Sequence, residues 1–485
     1  MGYATPRARR WPRLGATLPI AGYLLLTTAP LLLAAAVGAG HRPGLQELGS
    51  AVAMVGFSAL LLEFALSGRF RALTDPIGMD ALMRFHQFSG HVVLALLLAH
   101  PLLYALFPVQ TGLVGGRIVE PPGGGALAGV TGFAAWFLLI ALVAMAVFRD
   151  ELPLSYERWR LTHGLGAAGV AVLGLVHTLE AGTAAAHPGV AGFWIAAVAL
   201  ALATLAHVYG LKPWLQQRRP WLVRRVERLG PDIHELTLEP DGHDGLDFRA
   251  GQFVWLRIAP RPWGLREHPF SIASAPADGP ALRFVIKANG DFTRTIGSVS
   301  PGTRAWIDGP YGNFGLRGDG TEALLFIAGG VGLAPILSLL RERLHAGDPR
   351  PMRLLYACRW RRDLVLESEL AELARKLELE IVTVVDETDR PPSARPGPVK
   401  PALLEAVLPA VARDRIACTI CAPPGMIDAM ETALAALGIP HRQIASERFR
   451  YRYAAASPSA RRVRRLYGAL AGLLALTAVT FSLAG

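Results

Sequence analysis

Cysteine is scarce in this chain. Cys358, Cys418 and Cys421 are the only three in 485 residues, and all lie in the later, more polar part. That argues against a disulfide scaffold and suits a reducing compartment. Acidic residues are also in short supply, 38 against 49 Lys and Arg. A basic surplus can signal nucleic acid, but no aromatic-basic interleaving or nucleic-acid motif accompanies it, so no nucleic-acid partner is expected. Internal repeats and long low-complexity segments are missing too.

What the chain has in excess is apolar residues, 52% of the total, more than soluble proteins usually carry. Six runs long enough to span a bilayer precede residue 212, at roughly 16–39, 48–67, 86–107, 127–148, 161–180 and 191–211, and a seventh closes the chain at roughly 466–484. The first run is about twice as long as the apolar part of a signal peptide, so it reads as a span. Basic clusters fall in "RARRWPR", "GRFRALTDPIGMDALMR", "FRDELPLSYERWR" and "KPWLQQRRPWLVRR", all on one side of the spans. The loops on the other side, including "VGGRIVEPPGGG", are nearly uncharged. The positive-inside rule makes the basic side cytoplasmic.

Four histidines stand out inside this apolar stretch. His86 and His100 are 14 residues apart in the third span, and His163 and His177 are 14 apart in the fifth. Fourteen steps of 100° fall about 40° short of full turns, so each pair shares a helix face, separated by about 21 Å along the axis. The two spans run in the same direction, so His86 is level with His163 and His100 with His177. Neutral imidazole is a favoured haem ligand, and a pair from neighbouring helices can clamp a porphyrin. The expectation is two stacked, six-coordinate b-type haems. His91 points about 140° and 180° away from its two neighbours and is excluded from this set. His207 has no spaced partner.

After residue 219 the composition turns to alternating strands, turns and helices. "QFVWLRI", "LRFVIKA" and "RAWIDG" read as strands of a small β-barrel. "ALLFIAGGVGLAPILSLLRERL", "MRLLYACRW", "LELEIVTVV" and "IACTICAPPGMIDAMETALAALG" read as an α/β nucleotide-binding sheet. A flavin needs a flat partner, a donor near its ring and amides or positive charge for its pyrophosphate. In "REHPFSIASAP" Phe270 supplies the flat partner, Ser271 the donor and His268 a phosphate-side contact. In "IKANGDFTRTI" Lys287 supplies positive charge, Gly290 allows close backbone approach, and Thr293 opens a short helix. "AGGVGLAP" is a phosphate-binding turn with Gly330 and Gly332 at the bend and Pro335 in the first helical turn. In "CTIC", residues three apart on a strand face opposite sides, which argues against a dithiol.

With "HPFSIASAP", "GDFT", "GPYG", "GGVGLAP", "CAPPGM", "ERF" and the paired histidine spacings in hand, the chain resembles the ferric reductase and NADPH oxidase superfamily. Residues 50–210 resemble its ferric reductase transmembrane domain, and residues about 220–450 its ferredoxin-reductase-like FAD and NAD(P)H modules. The resemblance implies that His268, Pro269, Phe270 and Ser271 bind flavin, and that Gly330, Gly332 and Pro335 bind the nicotinamide dinucleotide. It puts Cys421 near the hydride path, Glu447 near the flavin, Phe449 over it, and Arg359, with Arg361 in reserve, against a 2'-phosphate. Ala422 stands where the family has glycine.

The fold class expected is a multi-domain membrane protein: an all-α transmembrane bundle, a cytoplasmic β-barrel FAD domain, an α/β NAD(P) domain and an extra C-terminal span. The domains are 1–212 (six-helix, haem-binding), 219–320 (FAD), 321–450 (NAD(P)), 451–465 (basic linker) and 466–485 (last helix). The function expected is electron transfer from cytoplasmic NADPH or NADH through FAD and two haems, catalysed with Cys421 and Glu447. The acceptor is a small molecule or metal chelate across a bacterial-type inner membrane, which makes the protein a ferric reductase. One rival is an oxidase that makes superoxide; others are a histidine-relay proton channel and a flavin reductase merely anchored in the membrane. The oligomeric state stays open.

Overall fold

A computed structural model describes residues 17–39, 45–106, 113–114, 117–118, 125–316, 320–387, 393–448 and 458–484. "RARRWPR", most of "VGGRIVEPPGGG", Phe449 and residues 451–457 of the expected linker lie outside these. The chain forms two compact units, Met1–Gly210 with Arg464–Gly485, and Leu211–Val463.

The first unit begins with α1 (Thr17–Ala36), α2 (Leu45–Glu63), the short α3 (Arg71–Ile77) and α4 (Met79–Leu106). A two-stranded hairpin, β1 (Leu113–Val114) and β2 (Arg117–Ile118), leads to α5 (Ala126–Val147), α6 (Tyr156–Ala181) and α7 (Pro188–Ala206), followed by a π-helical turn at His207–Leu211. Among the described residues seven helices are long and apolar enough to cross a membrane. A helix satisfies every backbone group internally, which hydrocarbon demands. Large apolar side chains such as Leu25, Phe133, Phe137, Leu165 and Leu200 are exposed, as a lipid-facing surface requires. Inside, Phe57, Val93, Leu139, Val170 and Trp194 form one buried cluster. Packing between helices in lipid depends on close fit. Gly174 shows it, since a Cβ there would lie 2.7 Å from the Phe57 ring.

The second unit opens with α8 (Lys212–Gln216) and a six-stranded antiparallel sheet. Its strands are β3 (Trp221–Gly230), β4 (Ile233–Pro240), β5 (Phe253–Ile258), β6 (His268–Ser271), β7 (Leu282–Lys287) and β8 (Arg304–Tyr311), with α9 (Asp291–Arg294) between the last two. They lie in the order β6-β5-β8-β3-β4-β7. The Ala273 amide donates to the Arg283 carbonyl at 2.7 Å, bringing the two edges together into a barrel. Alternate side chains point inward, and Leu236, Leu238, Val254, Leu256 and Phe284 fill the interior.

A six-stranded parallel sheet follows, in the order β12-β11-β10-β9-β13-β14. It comprises β9 (Ala323–Gly329), α10 (Leu333–His345), β10 (Met352–Cys358), α11 (Glu367–Lys376), β11 (Leu379–Val385), β12 (Arg395–Pro396), α12 (Pro401–Val407), β13 (Ile416–Cys421), α13 (Pro424–Ala436) and β14 (Ile444–Glu447). Every residue of β9 is buried, as a central parallel strand covered on both faces should be.

Barrel and sheet are stitched by a partly buried ionic chain: Glu235 to Arg283 at 2.6 Å, Arg283 to Glu369 at 3.3 Å and Glu369 to Arg341 at 2.5 Å. Removing one member of a buried pair costs about 3–5 kcal/mol. The Ser338 hydroxyl adds a bond to the Ser274 carbonyl at 2.7 Å.

The last described helix is α14 (Pro458–Ala484), whose residues from Arg464 on belong to the first unit. Its Leu474 and Ala478 are buried beside Leu31, Ala51, Val52 and Val55, and the Tyr467 hydroxyl donates to the Ala81 carbonyl at 2.7 Å. The architecture is the expected one: a helical membrane bundle, a barrel, an α/β sheet and an additional apolar helix.

Candidate functional site

In the helical unit, α4 and α6 bring the four histidines together as two couples. The ring centres of His86 and His163 are 6.4 Å apart with planes at 70°, and those of His100 and His177 are 6.1 Å apart at 73°. An imidazole centre sits about 3 Å from a metal bound at its Nε2, since metal–nitrogen bonds are about 2 Å. An iron shared by two rings therefore sets their centres about 6 Å apart, and both couples fit.

The outer couple, His100 and His177, is already oriented. His100 Nδ1 donates to the Gly49 carbonyl at 3.0 Å, and His177 Nδ1 donates to the Ala128 carbonyl at 2.9 Å. With Nδ1 protonated, Nε2 carries the lone pair that a metal takes. A cavity of about 560 Å³ adjoins them, lined by Ser50, Phe57, Trp136 and Trp194 among others. That lies within the range of about 300–1,000 Å³ that holds drug-sized ligands. Gly132 makes room for one ligand ring, because a Cβ there would be 2.6 Å from His177 Nδ1.

The inner couple is held differently. Trp159, one turn before His163, stacks on its ring at 5.2 Å and 18°, and anchors itself through its indole N–H to the Met145 carbonyl at 3.2 Å. His163 Nδ1 is buried without a hydrogen-bond partner among the described residues. His86 Nδ1 lies 2.6 Å from a carboxylate oxygen of Glu63 on α2. His91, as expected, turns away: its Nδ1 meets the Gln87 carbonyl at 2.6 Å on an exposed face. His207 stacks on Phe70 at 5.7 Å. Sequence reading missed Glu63 and Trp159. The i, i+4 spacing of Trp159 and His163 was the available signal for the tryptophan; nothing local marked the glutamate.

In the reductase unit the "HPFS" strand pairs with β5, so that His268, Pro269, Phe270 and Ser271 oppose Leu256, Trp255, Val254 and Phe253. His268 and Phe270 share one face, where Phe292 of the "GDFT" segment joins them, stacked on His268 at 4.4 Å and tilted against Phe270 at 6.1 Å. Phe292 was overlooked in the sequence, although an aromatic inside a phosphate-site motif is itself a cue. Ser271 is buried. The helix at "GDFT" begins at Asp291 with Gly290 as its cap, so Thr293 does not open it. Instead the Thr293 hydroxyl accepts from the Asn289 and Gly290 amides at 2.8 and 2.9 Å and fixes the turn. A Cβ on Gly290 would meet only Thr293 Oγ1, at 4.0 Å, so the space over the turn is open. Lys287 is paired with Asp363 at 2.7 Å rather than facing solvent alone.

The nicotinamide residues gather at the carboxyl ends of β9 and β13. Gly330 has φ +56°, a conformation that favours glycine, and nothing within 4 Å of its missing side chain. Gly332 serves a different need: its Cβ would fall 2.0 Å from the Cys421 carbonyl oxygen. Pro335 is buried in the first turn of α10. The Ala422 methyl lies where a Cβ on Gly329 would touch it, at 2.7 Å, so the alanine packs against the glycine turn. Arg359 is exposed beyond β10, its guanidinium 5.0 Å from the Trp360 ring, while Arg361 is engaged with Glu367 at 2.9 Å.

Cys421 and Glu447 are neighbours in register on β13 and β14. Burial, with the Glu447 carboxylate adding to it, pushes the Cys421 thiol well above its usual range. Burial pushes the Glu447 carboxyl up to about 8. Glu447 Oε2 is buried without a hydrogen-bond partner among the described residues, and Oε1 would be 3.2 Å from a Cβ on Gly312, which sits at φ +93°. A buried carboxyl oxygen without a partner among the described residues, beside a glycine-cleared surface, fits a bound group with a polar edge. Cys418 belongs to the hydrophobic cluster on the opposite face of the sheet from Cys421, and all three cysteines are free. The residues present thus fit both a flavin and a porphyrin.

Residues 52–174 match the ferric reductase like transmembrane component family, residues 222–314 an FAD-binding domain family, and residues 326–432 the oxidoreductase NAD-binding domain family. The reductase component of propane 2-monooxygenase from Rhodococcus jostii is 32% identical over 236 residues, 47% of this chain and 62% of that protein. Ferredoxin--NADP reductase B of Sorangium cellulosum is 34% identical over 153 residues, 31% of this chain and 62% of that one. The chain thus spans under two thirds of these curated relatives. Among solved structures, the Amycolatopsis cytochrome P450 reductase GcoB aligns over 48% of this chain and 69% of its own with 24% identity and a TM-score of 0.42. A flavohemoglobin from Malassezia yamatoensis aligns over 82% of this chain and 98% of its own with 17% identity and a TM-score of 0.45. Taken in chain order, the three family matches make this a ferric reductase-like transmembrane component fused to an FAD-binding domain and an oxidoreductase NAD-binding domain.

Proposed function

We propose that the protein moves electrons across a membrane, from cytoplasmic NAD(P)H to an acceptor on the other side, with a ferric or other metal chelate as the first choice and oxygen as the second. The observation that carries the reading is the pair of imidazole couples on α4 and α6, 6.4 and 6.1 Å between ring centres. Bound to this chain, FAD would convert a two-electron hydride into single electrons, and two b-type haems would carry them through the apolar layer.

The chain's own residues do the holding. The Gly330 turn and the start of α10 bind the dinucleotide phosphates, and exposed Arg359 is available to a 2'-phosphate, which favours NADPH. His268, Phe270 and Phe292 form the aromatic wall of the flavin site, and the Gly290 turn faces its phosphates. Glu447 keeps a proton at its carboxyl at neutral pH, beside the neutral thiol of Cys421, so that no anion opposes the arrival of a hydride. His86 with His163 and His100 with His177 would hold the two irons. On this reading the modules are 1–212, 219–320 and 321–450, and the basic loops at 68–84, 148–160 and 212–225 support a reductase on the cytoplasmic side of a bacterial-type inner membrane.

The test is an absorbance spectrum of the purified protein before and after NADPH under argon, followed by a ferric chelate or air. The expected result is a low-spin haem Soret band that shifts on reduction and returns when the chelate is added. A colourless protein despite ample haem supply, or proton current without haem, would overturn the proposal; return only with air would replace the chelate with oxygen.

A further inference from the structure

The four candidate haem ligands are not held alike, and the exception is His86. The two outer imidazoles donate from Nδ1 to backbone carbonyls at 3.0 and 2.9 Å, and His163 Nδ1 has no hydrogen-bond partner among the described residues. His86 Nδ1 instead faces the carboxylate of Glu63, the last residue of α2, at 2.6 Å. The Glu63 side chain is only 12% exposed. Both its oxygens are buried and, among the described residues, meet no aligned hydrogen-bond donor; the 2.6 Å approach of His86 Nδ1 is a close polar contact made by distance. Withdrawing a carboxylate from water is unfavourable unless something compensates it. A protonated Nδ1 on a metal-bound imidazole supplies that compensation.

We infer that Glu63 is a positioning residue that acts through His86 to lower the reduction potential of the inner haem below that of the outer one, so that electrons run downhill from His86/His163 to His100/His177. The inference rests on the two-haem reading. Its physical basis is general. A carboxylate on the outer nitrogen of a ligating histidine makes the ring a stronger donor and fixes its orientation, and negative charge close to the iron stabilises the ferric state. In a low-dielectric layer that charge is poorly screened. A backbone carbonyl, as at Gly49 or Ala128, fixes the tautomer but brings no net charge. The two couples therefore share a geometry and differ in electrostatics, in the direction that vectorial transfer needs.

The experiment uses the full-length protein in lipid nanodiscs. Haem per chain is counted first, and fewer than two haems in the wild type overturns the two-haem reading and this inference with it. With two bound, spectroelectrochemical titration is run on the wild type, Glu63→Gln and Glu63→Asp. Two separated midpoints are expected in the wild type. Glu63→Gln, which keeps the shape and loses the charge, should raise the lower midpoint alone and change one of the two low-spin ferric EPR signals. Glu63→Asp should keep the wild-type order. Two haems with both midpoints unmoved in Glu63→Gln, or both moved equally, would overturn the role of Glu63. If Glu63→Gln holds only one haem, Glu63→Asp decides: separated midpoints uphold the role and coincident midpoints end it.

Discussion

The membrane unit and the reductase unit solve opposite problems. In the first, imidazoles and backbone carbonyls sit in an apolar wall, and function depends on spacing along rigid helices. In the second, carboxyls, thiols and guanidinia crowd the ends of strands, and function depends on which groups keep their protons and where glycine lets backbones touch. Substitutions should therefore act by all-or-none loss of a cofactor in one unit and by graded, pH-dependent change in the other.

The strongest way to break that contrast is His177→Leu or His100→Leu. Reduction of the far-side acceptor should fall by more than about 100-fold, beyond the 10- to 100-fold cost of losing an outer-shell partner. NADPH-driven flavin reduction, followed at the flavin absorbance, should stay within about twofold of wild type. Retained transmembrane transfer would remove the outer couple from the route.

Next is Gly332→Ala. Its Cβ would meet the Cys421 carbonyl oxygen at 2.0 Å, and backbone gives way poorly. Overpacking of this kind costs about 1–3 kcal/mol. A lower melting temperature of the reductase transition, with the haem spectrum unchanged, is the expected outcome.

Glu447→Gln should be smaller and should depend on pH. The carboxyl releases its proton near 4.5 in an unfolded chain and near 8 in the folded one, so folding takes up a proton across that window. Its contribution to stability is complete below about 4.5 and is lost as the pH rises toward about 8. The glutamine variant should flatten that slope, measured as denaturant midpoints at about pH 5 and about pH 9. An unchanged slope would mean that Glu447 is ionised in place. The least effect is expected from Ala422→Gly, within about twofold in KM for NADPH, because the alanine methyl packs on Gly329.

How much of this was legible in the sequence follows the same divide. The histidine couples could be read because a helix converts a spacing of 14 into a shared face and a depth, and lipid makes a polar residue conspicuous. Glu63 could not, because its partner is 23 residues away on another helix and a glutamate at a span's end looks like any interfacial charge. In the reductase unit the glycine turns announced themselves, but their purposes did not. Gly332 yields to a strand end some 90 residues later, a long-range contact that no local pattern encodes. Thr293 was misjudged by two residues of helix register, which is enough to turn a helix opener into a hydroxyl that ties down the turn.

The membrane unit is assembled from both ends of the chain, Met1–Gly210 and Arg464–Gly485, with Tyr467 and Leu474 of α14 fixed among α1, α2 and α4. Covalently, the whole reductase is then one very large insertion between two anchored helices. A protease that severs either junction leaves the other intact, so the electron donor cannot be shed by a single cut. Two attachment points also keep the local concentration of the tethered unit high, which is a role for α14.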